Sequence, residues 1–190
     1  MAGARFEVKG SLLRGFLDAL AKENVRDKVL ERATNSTREL VASLPPASSW
    51  VDGDVMFDLN RATLELLGAD ALERLTLAGN RAALSKAMTF AVESLMRLFG
   101  VSPATVFSRM NQMASSTTRG LDYQWTSTGA RAGSLRITFV NATDIPAAAW
   151  ISIRGGLRLV FDYCKLDGKI APHALLPGAR GNASDFALQW

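Results

Sequence analysis

From Asn80 to Phe99 the chain is apolar around most of a helical circumference. Leu84, Ala87, Met88, Ala91, Leu95 and Phe99 fall on one face at helical spacing, and Phe90, Val92, Met96 and Leu98 spread to the sides. Lys86, Glu93 and Arg97 leave only a narrow polar strip, with Glu93 and Arg97 one turn apart. A helix with so little polar surface is buried on several sides. This segment is therefore expected to be the spine of the fold, enclosed by the rest of the 190 residues.

The preceding chain also reads as helical. Leu12, Leu13, Phe16, Leu17 and Leu20 form one stripe, with Ser11 as the expected cap. The pattern continues through Val25, Val29, Leu40 and Leu44 and stops at Pro45-Pro46, after which Trp50 and Val51 are expected to tuck back onto the helices. Asp58 reads as the cap of a helix that Gly68 ends, and a short helix is expected from Ala71 to Leu77. Ser102-Pro103 has the form of an N-cap followed by proline at the first helical position.

The period changes at Gly120. Leu121, Tyr123 and Trp125 alternate with polar residues, as do Leu135, Ile137 and Phe139, which predicts a pair of strands. Pro146 opens a helix running to Cys164, with Trp150, Ile153, Leu157 and Phe161 on its apolar face. A strand from Lys169 to Leu176 and a last one through Phe186, Leu188 and Trp190 complete the order. The expected fold is α+β: an N-terminal helical layer over residues 1–115, then β-β-α-β-β over 120–190 with an antiparallel sheet, in one domain.

Several functions are disfavoured by what the chain lacks. A net charge of +4, spread over a folded surface, gives too weak a field for a nucleic-acid protein. One cysteine sets aside zinc, and a single histidine cannot pair with a second imidazole. Phosphate-cradling glycine motifs and the Gly-x-Ser-x-Gly elbow are absent. Cys164 and His173, with Asp167 to orient them, could form a nucleophilic couple. The plainer reading is preferred: a cysteine serving as a small hydrophobe and a histidine facing water. With no export signal and no apolar run of about 20 residues, the chain is expected to be cytoplasmic, without a transmembrane segment.

Three features stand above this background. Gly155-Gly156 sits mid-helix, where each glycine costs about 1 kcal/mol relative to alanine. Close approach by a ligand or by another part of the fold, the helix's own sheet included, would account for it. Met56, Met88, Met96, Met110 and Met113 cluster between the double proline and the first strand, as in walls that adapt to irregular apolar ligands, and as in ordinary cores. Arg154 and Arg158 lie one turn apart, with Arg131 and Arg136 on the hairpin; an anion or acidic partner would relieve the repulsion, and so would pairing with Asp162.

Lys9-Gly10-Ser11, Leu44-Pro45-Pro46, Ser49-Trp50-Val51, Leu66-Leu67-Gly68 and Phe186 to Trp190 together resemble a myxobacterial paralogous family of uncharacterised domains. In element order that family is similar to a superfamily of haem-nitric-oxide-binding domains, 4-vinyl-reductase-type sensor domains and TRAPP vesicle-tethering subunits. The resemblance implies a non-enzymatic regulatory module that binds a small apolar molecule or lipid and signals through a homodimer or protein partner. A ligand-free homodimeric scaffold of TRAPP-subunit type is the alternative.

Against that resemblance, the missing helix histidine and Tyr-x-Ser-x-Arg signature set haem aside, so no cofactor is expected. The candidate ligand-binding residues are Met88, Met96, Phe107, Met110, Trp150, Gly155 and Gly156.

Overall fold

A computed structural model describes residues 5–83, 102–175 and 181–190. Strand β1 (Glu7–Lys9) runs straight into α1 (Gly10–Lys22), followed by α2 (Arg26–Arg32), α3 (Asn35–Ala42) and β2 (Trp50–Asp52). The long helices α4 (Asp54–Leu67) and α5 (Ala69–Ala83) come next, then the short α6 (Pro103–Ser108) and α7 (Met110–Ala114). Strands β3 (Thr118–Arg119), β4 (Leu121–Gly129) and β5 (Ala132–Phe139) precede α8 (Ala147–Cys164), and β6 (Lys169–Ile170), β7 (Ala174–Leu175) and β8 (Ala183–Gln189) close the chain. This is the α+β architecture expected, helices first and an antiparallel sheet after. Beyond Ala83 the expected apolar spine, Met88 and Met96 included, lies outside the described residues.

Helix ends follow local chemistry, with two corrections. Ser102 Oγ accepts the backbone N–H of Thr105 at 3.4 Å with Pro103 in the first turn, and Gly68 ends α4 with a φ of 83°. Ser11, however, lies inside α1: its N–H and that of Gly10 donate to the carbonyls of Ala47 and Ser49, so the loop after the double proline does the capping. Asp58 is likewise inside α4. Its carboxylate accepts the Thr34 N–H at 2.7 Å and hydroxyl at 2.9 Å, and so holds Thr34, the residue that caps α3 by accepting the Thr37 N–H.

The main sheet has the order β4-β5-β8-β6, with β7 also on β8. Tyr123 pairs with Ile137 and Trp125 with Leu135, and β8 lies antiparallel to β5 with Phe186 opposite Leu135. The single strand expected over Lys169–Leu176 is instead the two short strands β6 and β7, and His173 stands in the turn between them. Leu135, Ile137, Phe139, Phe186 and Leu188 are buried, and α8 lays Trp150, Leu157 and Phe161 into the same core.

A second, small sheet of order β2-β1-β3 was not anticipated. Trp50 lies in it rather than on the helices, with the Lys9 ammonium 4.1 Å and the Arg119 guanidinium 3.9 Å from its ring centroid. A helical core formed by α1, α4 and α5 and a sheet-side core under α8 meet at Phe6, whose ring lies 5.1 Å from Phe57 and 5.0 Å from Phe139.

Candidate functional site

Helix α5 is the element that both neighbouring helices approach most closely. Glycines set those approaches: a Cβ on Gly15 of α1 would lie 2.3 Å from the Gly79 carbonyl oxygen, and one on Gly155 of α8 would lie 2.5 Å from that of Glu73. Gly155 therefore answers to helix–helix packing, with α5 rather than the sheet against it. Gly156 is different, because among the described residues a Cβ there would meet only the Asn80 side-chain nitrogen, at 2.8 Å.

Alongside the Gly155 contact, Glu73 is 6% exposed and forms ion pairs with Arg154 and, at 3.3 Å, with Arg158. The anion expected to relieve the two arginines is thus an internal one. Asp162 pairs with Arg81 instead, Nε to Oδ2 at 3.0 Å. Burial, and then the Arg158 charge, lower the Arg154 pKa. On the hairpin, Arg136 pairs with Asp185 at 3.0 Å.

Between the two cores lies a cavity of about 250 Å³. Helical periodicity builds its walls. Helix α4 presents Met56, Phe57 and Asn60; α8 presents Ala149, Ile153, Gly156 and Val160; α6 and α7 contribute Val106, Met110 and Met113. Leu121, Tyr123 and Phe139 close the sheet side, and Phe6 and Val8 come from β1 and the residue before it. Among the described residues that line it, none is Asp, Glu, Lys, Arg or His.

The polar groups on the wall are few. Thr76 and Ser152 hydroxyls are buried and 3.1 Å apart, so they satisfy one another. Burial pushes the Tyr123 phenol up to about 12, against a hydrogen bond with Thr118 that lowers it, so it stays protonated at neutral pH. Asn60 is 3% exposed and its Oδ1 has no hydrogen-bond partner.

Of the seven residues named from the sequence, Met110 and Gly156 line the cavity. Phe107 is buried beside it, stacked on Trp125 at 5.4 Å, and Trp150 packs edge-on against Phe139 at 5.3 Å. Gly155 sits on the α5 side, while Met88 and Met96 lie outside the described residues. Sequence reasoning did not single out Asn60, Tyr123 or Ser152. The signal for Asn60 was present, since it falls one position from the apolar stripe Leu59, Ala62, Leu66, but a polar residue there reads as helix flank.

His173 stacks near Trp150 at 6.2 Å and is not on the cavity wall. Burial and the Arg154 charge lower its pKa. Burial raises that of Cys164, which keeps it a thiol rather than a reactive thiolate. Among the described residues no hydrogen bond or ion pair joins the two.

No family model and no curated protein matches the chain. Solved structures do. An H-NOX protein from S. oneidensis in the Fe(II)NO ligation state aligns with a TM-score of 0.62 at 11% identity, covering 95% of this chain and 98% of that one. The chain has an H-NOX-like fold. The unliganded Fe(II) H-NOX protein from K. algicida gives 0.60 at 11% identity, over 95% of both chains. A structure from work on haem redox potential and protein-induced porphyrin distortion gives 0.53 at 9% identity, over 96% of this chain and 99% of that one.

This likeness corrects the expectation of no cofactor. Haem had been set aside because the helix histidine is missing, yet haem iron is also held by methionine, tyrosine and cysteine side chains, so one absent residue does not exclude the group. The H-NOX-like fold spans nearly the whole chain, and a solved structure that shares it comes from work on haem redox potential.

The donors this cavity offers differ from a histidine site. Of residue types that ligate haem iron, the described wall carries the thioethers of Met56, Met110 and Met113 and the phenols of Tyr123 and Tyr163.

Proposed function

We propose that this chain is a sensor domain that takes a small, largely apolar molecule into the cavity between its two cores. The observation that carries this reading is the cavity itself, about 250 Å³, walled by both cores and by helix α8 and without a charged side chain among its described lining residues. Ligand sites are concave and mostly apolar with a few placed polar groups. The H-NOX-like fold supports the sensor class, since its solved relatives include an Fe(II)NO state.

Haem is a ligand to try first. Bound haem would supply an iron centre able to take a diatomic gas, and the Met and Tyr side chains named above are those that would approach it. Tyr123, protonated at neutral pH, would contribute a neutral phenol.

Signalling through a homodimer or protein partner, a cytoplasmic setting, one domain over the whole chain and kinship with the myxobacterial paralogues belong to the same proposal. No described helix is long and apolar enough to cross a membrane. The ligand-free scaffold alternative calls for apolar surface on the early helices. The exposed large apolar side chains among the described residues are Val140 and Leu166, at 54% and 38%, both far along the chain from those helices. Ligand binding is therefore the reading we favour.

The test is titration of the purified protein with hemin, followed by absorption spectroscopy, beside native mass spectrometry of the protein as isolated. A saturable Soret band or a retained small molecule supports the proposal. A clean apo mass, no hemin spectrum and no binding of the neutral aromatic probes described below would end it.

A further inference from the structure

Of the buried side-chain oxygens and nitrogens on the described wall, Asn60 Oδ1 is the one without a hydrogen-bond partner. A buried carboxamide oxygen without a partner costs about 1–3 kcal/mol. An apolar side chain at that position would not carry this cost. Thr76 and Ser152, also buried on the wall, bond to each other and make no such demand. The Asn60 oxygen is 3% exposed with its residue, has no hydrogen-bond partner, and belongs to a side chain that lines the cavity.

The rest of the described wall restricts what could satisfy it. With no acid, base or histidine along it, a charged group entering the cavity would be buried without a counter-charge, which costs several kcal/mol. We infer that this cavity takes a small molecule other than haem, whose ring has no N–H once iron is bound, and that the part of this molecule that enters is uncharged and apolar and donates one hydrogen bond, from a hydroxyl or N–H, to Asn60 Oδ1. This rests on the cavity being a ligand site, and it adds the polarity and direction of recognition. Asn60 is thereby a specificity residue rather than a packing residue.

Indole and benzofuran test this. They are matched in size and aromaticity, but indole carries an N–H donor where benzofuran carries an acceptor oxygen. Calorimetric titration of the full chain should show indole binding about tenfold more tightly than benzofuran, a difference of about 1.4 kcal/mol. Asn60→Leu should abolish that preference while retaining benzofuran binding, and should raise thermal stability of the ligand-free protein because the unpartnered oxygen is gone.

Equal binding of both probes by the native chain, or a preference that survives Asn60→Leu, would overturn the assignment to Asn60 while leaving the cavity as a ligand site. Tighter binding of benzofuran would overturn the donor polarity. Binding of neither probe, together with no hemin spectrum, would remove both the inference and the function it rests on. If Asn60→Leu fails to fold, Asn60→Ala and the native indole-to-benzofuran ratio decide the matter.

Discussion

Replacing Gly155 by alanine places a Cβ 2.5 Å from the Glu73 carbonyl oxygen and 2.9 Å from the Glu73 Cα. Both are backbone atoms of α5, which cannot turn aside as a side chain can. Nor can α5 retreat freely, because Gly79 on the same helix meets α1, where an added Cβ would be 2.8 Å from the Phe16 Cα. The helices must part, and overpacking of this kind costs about 1–3 kcal/mol. Parting them also lengthens the Glu73–Arg154 ion pair.

Against that cost stands the gain in helix propensity from glycine to alanine, about 1 kcal/mol. The net expectation for Gly155→Ala is a loss of up to about 2 kcal/mol, or several degrees in Tm for a chain of this size. Gly156→Ala is the control one residue away. There the only near atom among the described residues is the Asn80 side-chain nitrogen, which can rotate, so the propensity gain should leave this variant as stable as the native chain or more so by up to about 1 kcal/mol. Urea denaturation followed by circular dichroism measures both, with the midpoint moving at unchanged slope. If Gly155→Ala proves more stable than the native protein, or if the two substitutions behave alike, the account of how α5 and α8 meet is wrong.

Other consequences follow from the charged groups. Glu73→Leu strands Arg154, whose side chain is only 16% exposed, and should cost about 2 kcal/mol, whereas Glu73→Leu with Arg154→Leu should recover most of it; chemical denaturation of both variants distinguishes an ion pair from simple packing. Asp58 feels burial, which raises its pKa, but the bonds from Thr34, Arg61 and Thr37 outweigh it and hold the folded value below 3.8. Its contribution is thus complete above pH 3.8 and lost as pH falls through the lowered value, and Asp58→Asn should flatten stability over that acid range. His173 has a folded pKa below 6.5, so the neutral ring favours the fold above that pH and the benefit fades as pH drops through the folded value; His173→Gln should remove this slope from a plot of urea midpoint against pH.

Much of the architecture could be read from periodicity. The alternation in Leu121–Trp125 and Leu135–Phe139 and the apolar face of Trp150, Leu157 and Phe161 are signals of burial that hold whatever the neighbours are, and the structure pairs and packs these segments accordingly. Capping was less legible. Ser11 and Asp58 have the right chemistry for N-caps, but loop carbonyls take the first role and α3 claims the Asp58 carboxylate, contacts that depend on segments distant in sequence. The small sheet escaped notice because Glu7–Lys9, Trp50–Asp52 and Thr118–Arg119 are too short to carry a period.

The cavity was partly foreseeable. Met110 and Gly156, an adaptable and a small residue, line the cavity, whereas Trp150 and Phe107 show that a large aromatic can instead complete a core. Gly155 and Gly156 are indistinguishable in the sequence; only the α5 backbone beside one and the open wall beside the other separate them. The expectation about cofactors failed for a different reason. It treated one ligating residue as the whole of a haem site, and the overall shape of the chain carried information that the missing histidine did not.

The most direct measurement of the central claim is methyl NMR on methionine-labelled protein during titration with indole. Met56 reaches the cavity from α4 and Met110 and Met113 reach it from α7, so a ligand seated there must shift their methyl signals together, saturating at one stoichiometric equivalent. Indole binding that leaves these three signals unmoved would place the ligand elsewhere and contradict the account.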